Sequence, residues 1–145
     1  MPNDSMSGRA EGRPAFVLRV RERFEATHSL RSYRGRPEPA HGHRWQVEVA
    51  LVSEQLDDEG MGFDFVEIKT ALRELVAPFE DAGINAVPPF DQLTPTTEHL
   101  ARWFYQELRG RLGAARIAEV TVWEGTDCSA TYLPALSGAS CTDGG

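Results

Sequence analysis

Three of the four histidines stand where strand geometry can bring them together. His41 and His43 flank Gly42, so on an extended chain both rings leave the same face. His28 closes the apolar side of an earlier alternating run: Phe16, Leu18, Val20, Glu22, Phe24, Ala26, His28. If the two runs pair as a hairpin, the three imidazoles meet. Three neutral imidazoles with an open fourth position form a catalytic-type zinc site. Such a zinc polarises a substrate oxygen or activates water. A closed structural site would favour cysteine ligands, and none lies nearby. An isolated His-x-His is a weak signal, and the third histidine on the matching face strengthens it. His99 reads as a helix-start residue rather than a ligand.

Several carboxylates can work beside such a metal. Glu38 precedes His41 by one short step of loop and can reach a metal-bound substrate. Glu124 shares parity with Ala118, Val120 and Val122, and a carboxylate on an apolar face needs a donor. Two readings stay open for it. A pterin or purine edge offers a ring N–H and an amino group to one carboxylate; otherwise Glu124 is solvated at the strand's end, which is the simpler reading. Glu80 and Asp81 follow a helix, where acids oppose the helix dipole; function or a solvated loop explains them equally well. Asp57, Asp58 and Glu59 read as a solvated turn, and Cys128 as a small packed residue with no activating neighbour in sequence.

The elements that must hold these groups follow from periodicity. Residues 16–28 and 41–51 alternate with period two, as strands with one buried and one wet face do. Between them, Gly35, Pro37 and Pro39 mark a loop. Apolar residues at 65, 68, 72, 75, 76 and 79 define one helix face. Thr96, Thr97 and Glu98 suit the start of a second helix, which runs on through Leu112 and stops before Gly113. Strands over 118–124 and about 129–133 complete a β-β-α-α-β-β order, an α+β arrangement with two helices on one face of an antiparallel sheet. A four-stranded open sheet leaves edges that need cover.

Composition narrows the function classes. A net charge of −7 argues against nucleic acid as the main partner. No apolar run approaches a membrane span. Two cysteines make no disulfide framework, and a reducing cytoplasm is the simplest setting. Residues 1–14 are polar and rich in Gly, Pro and Arg and read as a disordered leader. Residues 15–135 form one domain, and 136–145 a loose tail.

Taken together, Phe24-Glu-Ala-Thr-His28, His41-Gly-His43, Gly60-Met-Gly-Phe-Asp64-Phe65, Asn85, Pro95-Thr-Thr-Glu-His-Leu-Ala101 and Val122-Trp-Glu124 with Ala130-Thr-Tyr132 follow a known order. The chain resembles the 6-pyruvoyl-tetrahydropterin synthase and 6-carboxy-tetrahydropterin synthase family over about residues 16–133. That resemblance implies the tunnelling fold, in which subunits trimerise so that their sheets form one barrel and two trimers often stack. It implies Zn2+ on His28, His41 and His43, with Glu124, Thr96 and Thr97 binding a pterin. It implies a substrate such as 7,8-dihydroneopterin triphosphate.

The departures bear on the chemistry. The family's usual Cys-x-x-x-His-Gly-His has Pro37 at the cysteine position, and Glu38 gives Glu-x-x-His-Gly-His instead. This resembles a subgroup associated with side-chain cleavage to 6-hydroxymethyl-dihydropterin. The usual Asp-His-x-x-Leu-Asn, aligned on Asn85, places Glu80 at the aspartate and Asp81 at the histidine. Glu38, Glu80 and Asp81 are therefore the expected proton-transfer set, and carboxylates are weaker bases than imidazole. The alternative is a pterin- or purine-binding relative that has lost the usual activity.

Overall fold

The alternating run from Phe16 closes on the run from His41 as one long hairpin. In the computed structural model, which describes residues 12–135, strand β1 is Phe16–His28 and β2 is His41–Ser53. They pair antiparallel from Phe16↔Ser53 to His28↔His41 without a break in register. Because a strand's side chains alternate, this register puts Phe24, Ala26 and His28 on the same face as Trp45, His43 and His41. The expected leader and tail lie outside the described residues, apart from residues 12–14, and so does Cys141.

Two helices cover that face. Helix α1, Phe65–Val76, is capped by Asp64, whose carboxylate accepts the Val66 N–H at 2.9 Å. It buries Ile68, Ala71, Leu72, Leu75 and Val76. Apolar spacing alone extends this helix to Phe79, but residues Ala77–Phe79 tighten into a 3-10 turn. Pro78 is the reason, since it has no N–H with which to continue the ladder. Helix α2, Thr97–Leu112, starts at the Thr96 cap, and Gly113 follows it with φ +58. Strands β4, Arg116–Glu124, and β5, Cys128–Tyr132, complete the antiparallel part.

The sheet differs from the expected four antiparallel strands. A fifth strand, β3 (Ala82–Gly83), pairs parallel with Ala26 and Thr27, so the sheet is mixed, in the order β3-β1-β2-β4-β5. Two residues are too few for a period to register in sequence. Asp81, at φ +55, turns the chain into this position, and its N–H donates to the Glu25 carbonyl at 2.7 Å.

The face turned away from the helices is not uniformly wet. Ala50 and Val52 are buried there, and Glu48 is only 7% exposed. Arg21 Nε lies 3.0 Å from Glu48 Oε1 and Arg19 Nη1 3.3 Å from Oε2. The central strand has neighbours on both sides, and long arginine stems lie over it while their heads pair with the acid. No helix among the described residues is long and apolar enough to cross a membrane.

The core behind the histidines is aromatic. Phe24 stacks on Trp45 with centroids 6.1 Å apart and also meets Phe79 and Phe104 at 5.7 and 6.3 Å. Phe24 is 1% exposed. Replacing it by alanine leaves a void under the histidine-bearing hairpin. A Phe24→Ala variant is expected to lose about 3–5 kcal/mol of stability in urea unfolding. A loss below about 1 kcal/mol would contradict this packing.

Candidate metal and ligand site

The hairpin register places His28 directly opposite His41, and Ala26 opposite His43. The three rings sit edge to face, with centroids 4.6 Å (His28–His41), 4.7 Å (His41–His43) and 5.5 Å (His28–His43) apart. Trp45, fully buried, forms the floor, with its ring 4.7 Å from His28 and 5.7 Å from His43. Its indole N–H donates to the Ala26 carbonyl at 3.1 Å, so the floor is fixed.

Two carbonyls set which nitrogen each ring presents. His28 Nδ1 lies 2.9 Å from the Pro95 carbonyl, and His41 Nδ1 lies 3.1 Å from the Pro39 carbonyl. A carbonyl only accepts, so each Nδ1 must carry the proton and each neutral ring presents a lone pair at Nε2. These two Nε2 atoms are 3.1 Å apart. Two lone pairs at that distance repel unless a cation lies between them.

Glu124 joins the same point from the end of β4. Its Oε2 is 2.8 Å from His28 Nε2 and 3.2 Å from His43 Nε2. The His43 contact is not aligned as a hydrogen bond, which leaves His43 Nε2 buried and without a partner. Desolvation lowers the pKa of His43 below its ordinary value, the Glu124 charge opposes that, and the neighbouring rings His41 and His28 lower it further. A lowered pKa favours the neutral, ligating imidazole. Donor atoms of His28, His41, His43 and Glu124 all lie within 4.8 Å of one another. A proton can relieve one of these close approaches at a time, whereas a metal ion relieves all of them. The residues therefore fit a bound metal.

The other expected residues are distributed around this point. Thr96 Oγ1 accepts the His99 N–H at 3.0 Å as the cap of α2, and Thr97 is the first helical residue beside it. Because Pro95 holds His28, the cap and the ligand are one structural unit. His99 Nδ1 bonds the Thr94 carbonyl at 2.8 Å and stands outside the cluster of His28, His41, His43 and Glu124. Glu38 lies beside His41, with Oε1 3.8 Å from Nδ1, but that oxygen accepts the Leu30 N–H at 3.0 Å. Glu38 therefore braces the loop over 29–40, and its Oε2 enters neither contact.

Glu80 and Asp81 do not join the histidines within this chain. Glu80 Oε2 accepts the Glu25 N–H at 3.2 Å. Asp81 lines an open cleft of ≈ 490 Å³ together with Thr27, Gly42, His43 and Arg44. Both belong to the open edge of β1. Cys128 is exposed and pairs in register with Glu124 across β4 and β5; it is not a packed residue, because β5 is the sheet's edge.

Sequence reading missed the parts that orient the ligands. The Pro95 and Pro39 carbonyls carry no side-chain signal. Asn85, used only to align a motif, clamps the loop: its Oδ1 accepts the Ser29 N–H and its Nδ2 donates to the Ser29 carbonyl, both at 2.9 Å. Arg31 Nη2 adds bonds to the Phe90 and Asp91 carbonyls at 3.0 and 2.6 Å. In the case of Asn85 the available hint was its place among the motif residues that carry the family resemblance. Arg31 offered none.

Comparison with known proteins adds an independent line. Residues 17–135 match the sequence model of a family described as 6-pyruvoyl tetrahydropterin synthase. Among curated proteins, a 6-carboxy-5,6,7,8-tetrahydropterin synthase of Aquifex aeolicus is 29% identical over 117 residues, covering 63% of this chain and 72% of that protein. A 6-pyruvoyl tetrahydrobiopterin synthase of Poecilia reticulata is 26% identical, covering 77% of this chain and 85% of that protein. Among solved structures, the 6-pyruvoyl tetrahydropterin synthase of Caenorhabditis elegans superposes with a TM-score of 0.71 at 19% identity, covering 85% of this chain and 98% of that one. A Plasmodium vivax 6-pyruvoyltetrahydropterin synthase, in a glutamate-to-alanine form described as a catalytic-residue mutant, gives 0.69 at 16%, covering 85% and 99%. At these identities the structures establish the fold, which is the tunnelling fold.

The lone-pair geometry makes a direct prediction. Protein purified without an affinity tag should hold about one divalent metal ion per chain by elemental analysis. A His41→Ala variant should lose it, and a His99→Ala variant should keep it. Metal-free wild type, or full occupancy in His41→Ala, would refute the assignment.

Proposed function

Because the chain belongs to the 6-pyruvoyl tetrahydropterin synthase family, we propose that it is a zinc-dependent lyase acting on a dihydropterin. The substrate is 7,8-dihydroneopterin triphosphate or a close relative, and the reaction is side-chain cleavage. The observation that carries this reading is the convergence of His28, His41 and His43 Nε2 with the Glu124 carboxylate at one point over the Trp45 floor. The all-nitrogen and carboxylate donor set suits zinc over softer or harder ions. Bound there, zinc supplies Lewis-acid polarisation of substrate oxygens.

This chain's own residues supply the rest. Glu124 accepts a ring N–H and the exocyclic amino group, which orients the ring. The Thr96–Thr97 turn, tied to His28 through Pro95, bounds the same space. Glu38 takes the place of the family's thiol as general base, with Oε2 as the accepting atom. The Plasmodium vivax protein described with a catalytic glutamate supports a carboxylate in that role. Glu80 or Asp81, from the open β1 edge of a neighbouring copy, handles the second proton.

The sheet supports assembly. Among the described residues, β3 pairs with β1 only at Ala26 and Thr27, and no other strand lies along that outer edge. β5 forms the other edge. Phe16 and Val17 are exposed on β1, and Leu133 just past β5. Joining one edge to the other in a ring removes both edges. A homotrimer, or two stacked trimers, is the assembly that follows.

One observation favours the second reading, a pterin- or purine-binding relative without turnover. Glu38 Oε1 and Glu80 Oε2 both accept backbone N–H groups, so both acids serve structural roles. Incubation with 7,8-dihydroneopterin triphosphate, followed by mass spectrometry, separates the two. Product missing the side chain supports the lyase, and unchanged substrate with measurable binding supports the second reading.

Two further outcomes are expected. Glu38→Gln should keep metal and pterin binding while turnover falls about 10²-fold or more; unchanged turnover removes Glu38 from the mechanism. Analytical ultracentrifugation should give a trimer or hexamer, and a strictly monomeric protein at working concentration would contradict the ring.

A further inference from the structure

We propose that Glu124 is a fourth ligand of the metal when no substrate is bound, and that ring recognition draws it away. The site is then closed at rest and opens to the substrate's oxygens only for a molecule that can take the carboxylate. This rests on the metal and pterin reading above and adds a control to it.

The geometry points one carboxylate at two tasks. Oε2 already lies 2.8 Å from His28 Nε2 and 3.2 Å from His43 Nε2, on the side where both rings present lone pairs or an unpartnered nitrogen. Adjacent ligands of a tetrahedral zinc stand about 3.3 Å apart, as follows from bond lengths near 2.0–2.1 Å. The His28 Nε2–His41 Nε2 and His43 Nε2–Glu124 Oε2 separations, 3.1 and 3.2 Å, are close to that edge length, and His28 Nε2–Glu124 Oε2 is shorter at 2.8 Å. A carboxylate beside nitrogen lone pairs is repelled unless a cation lies between them. Among the described residues, no lysine or arginine pairs with Glu124. Its partners are the imidazoles alone.

Gripping a pterin edge needs both carboxylate oxygens, one for the ring N–H and one for the amino group. Oε2 cannot meet that edge while it points into the histidine cluster. Recognition and ligation are therefore exclusive states of one side chain, and a ligand that binds only one state shifts the population toward it. Glu124 has room for the change. Its side chain is 25% exposed, it ends β4, and Gly125 follows at φ +74. Gly125 N–H bonds the Arg44 carbonyl at 3.0 Å, so the backbone stays fixed while the side chain moves. The selectivity that results is against small oxygen ligands and non-pterin alcohols, which cannot displace the carboxylate.

Cobalt(II) substitution of the full chain reads the ligand set directly by visible absorption. Co2+ titrated into metal-free wild type should give the intense bands of a four-coordinate site. Glu124→Gln should shift those bands and weaken Co2+ binding about 10–100-fold. Adding 6-methylpterin, which has no side-chain hydroxyl to ligate the metal, should shift the wild-type bands as Glu124 leaves, with binding followed by pterin fluorescence. Unchanged bands and affinity in Glu124→Gln overturn the fourth-ligand assignment. Unchanged wild-type bands at saturating 6-methylpterin overturn the exchange, and that arm needs no variant to fold. His41→Ala separates the layers. Loss of Co2+ there with Glu124→Gln unaffected refutes only this inference. No Co2+ binding in wild type refutes the metal reading, and this inference with it.

Discussion

Two hydrogen bonds from imidazole N–H groups to prolyl carbonyls govern the site. Pro95 and Pro39 each hold an Nδ1 proton, and the rings of His28 and His41 are thereby turned so that both Nε2 lone pairs face one point. Without those carbonyls either tautomer could form and the rings could turn away. With them, the resting arrangement contains a repulsion that a metal ion removes. Much of the surrounding structure holds the two carbonyls in place. Pro95 belongs to the approach to α2, fixed by the Thr96 cap. The Pro39 loop is braced by Glu38 and clamped by Asn85 and Arg31.

The same economy of side chains explains why several acids have two possible roles. Glu38 and Glu80 satisfy backbone N–H groups that would otherwise lack partners near strand ends. Each uses one oxygen and leaves the other. A carboxylate can brace a loop and still accept a proton, which a thiol in the same place does less well. Glu124 is the exception, because its side-chain partners are the imidazole nitrogens of His28 and His43 rather than backbone.

In the proposed ring, assembly and site would meet at the edge of β1. The short parallel pairing by β3 covers only the last turn of that edge, next to the histidines. It also carries Glu80 and Asp81 just ahead of it, beside a cleft that His43 shares. Along the remaining length of β1 no further strand pairs on this side among the described residues, and Phe16 and Val17 are exposed there. An edge-to-edge neighbour would approach along this line, so closure of a ring and completion of a proton-transfer set would draw on the same strand.

Much of this was legible in sequence because it obeys a period. Alternation fixed the hairpin strands and put His28, His41, His43 and Trp45 on one face, and apolar spacing located both helices. The hairpin register follows once both strands bury the same face, since a slip of one residue would expose the core. Glu124 was legible only as an acid on an apolar face, where local pattern favoured a solvated strand end over a ligand-binding carboxylate. What tertiary structure decided has no period to read. Backbone carbonyls choose the tautomers: Pro95 comes to His28 from a segment distant in sequence, and Pro39 reaches the His41 ring only through the path the loop takes before β2. β3 is too short to alternate, Pro78 ends α1 before its apolar spacing does, and arginine stems bury Glu48 on the supposedly wet face. Sequence pattern reports which face a side chain takes, and only the folded chain reports which distant backbone group meets it there.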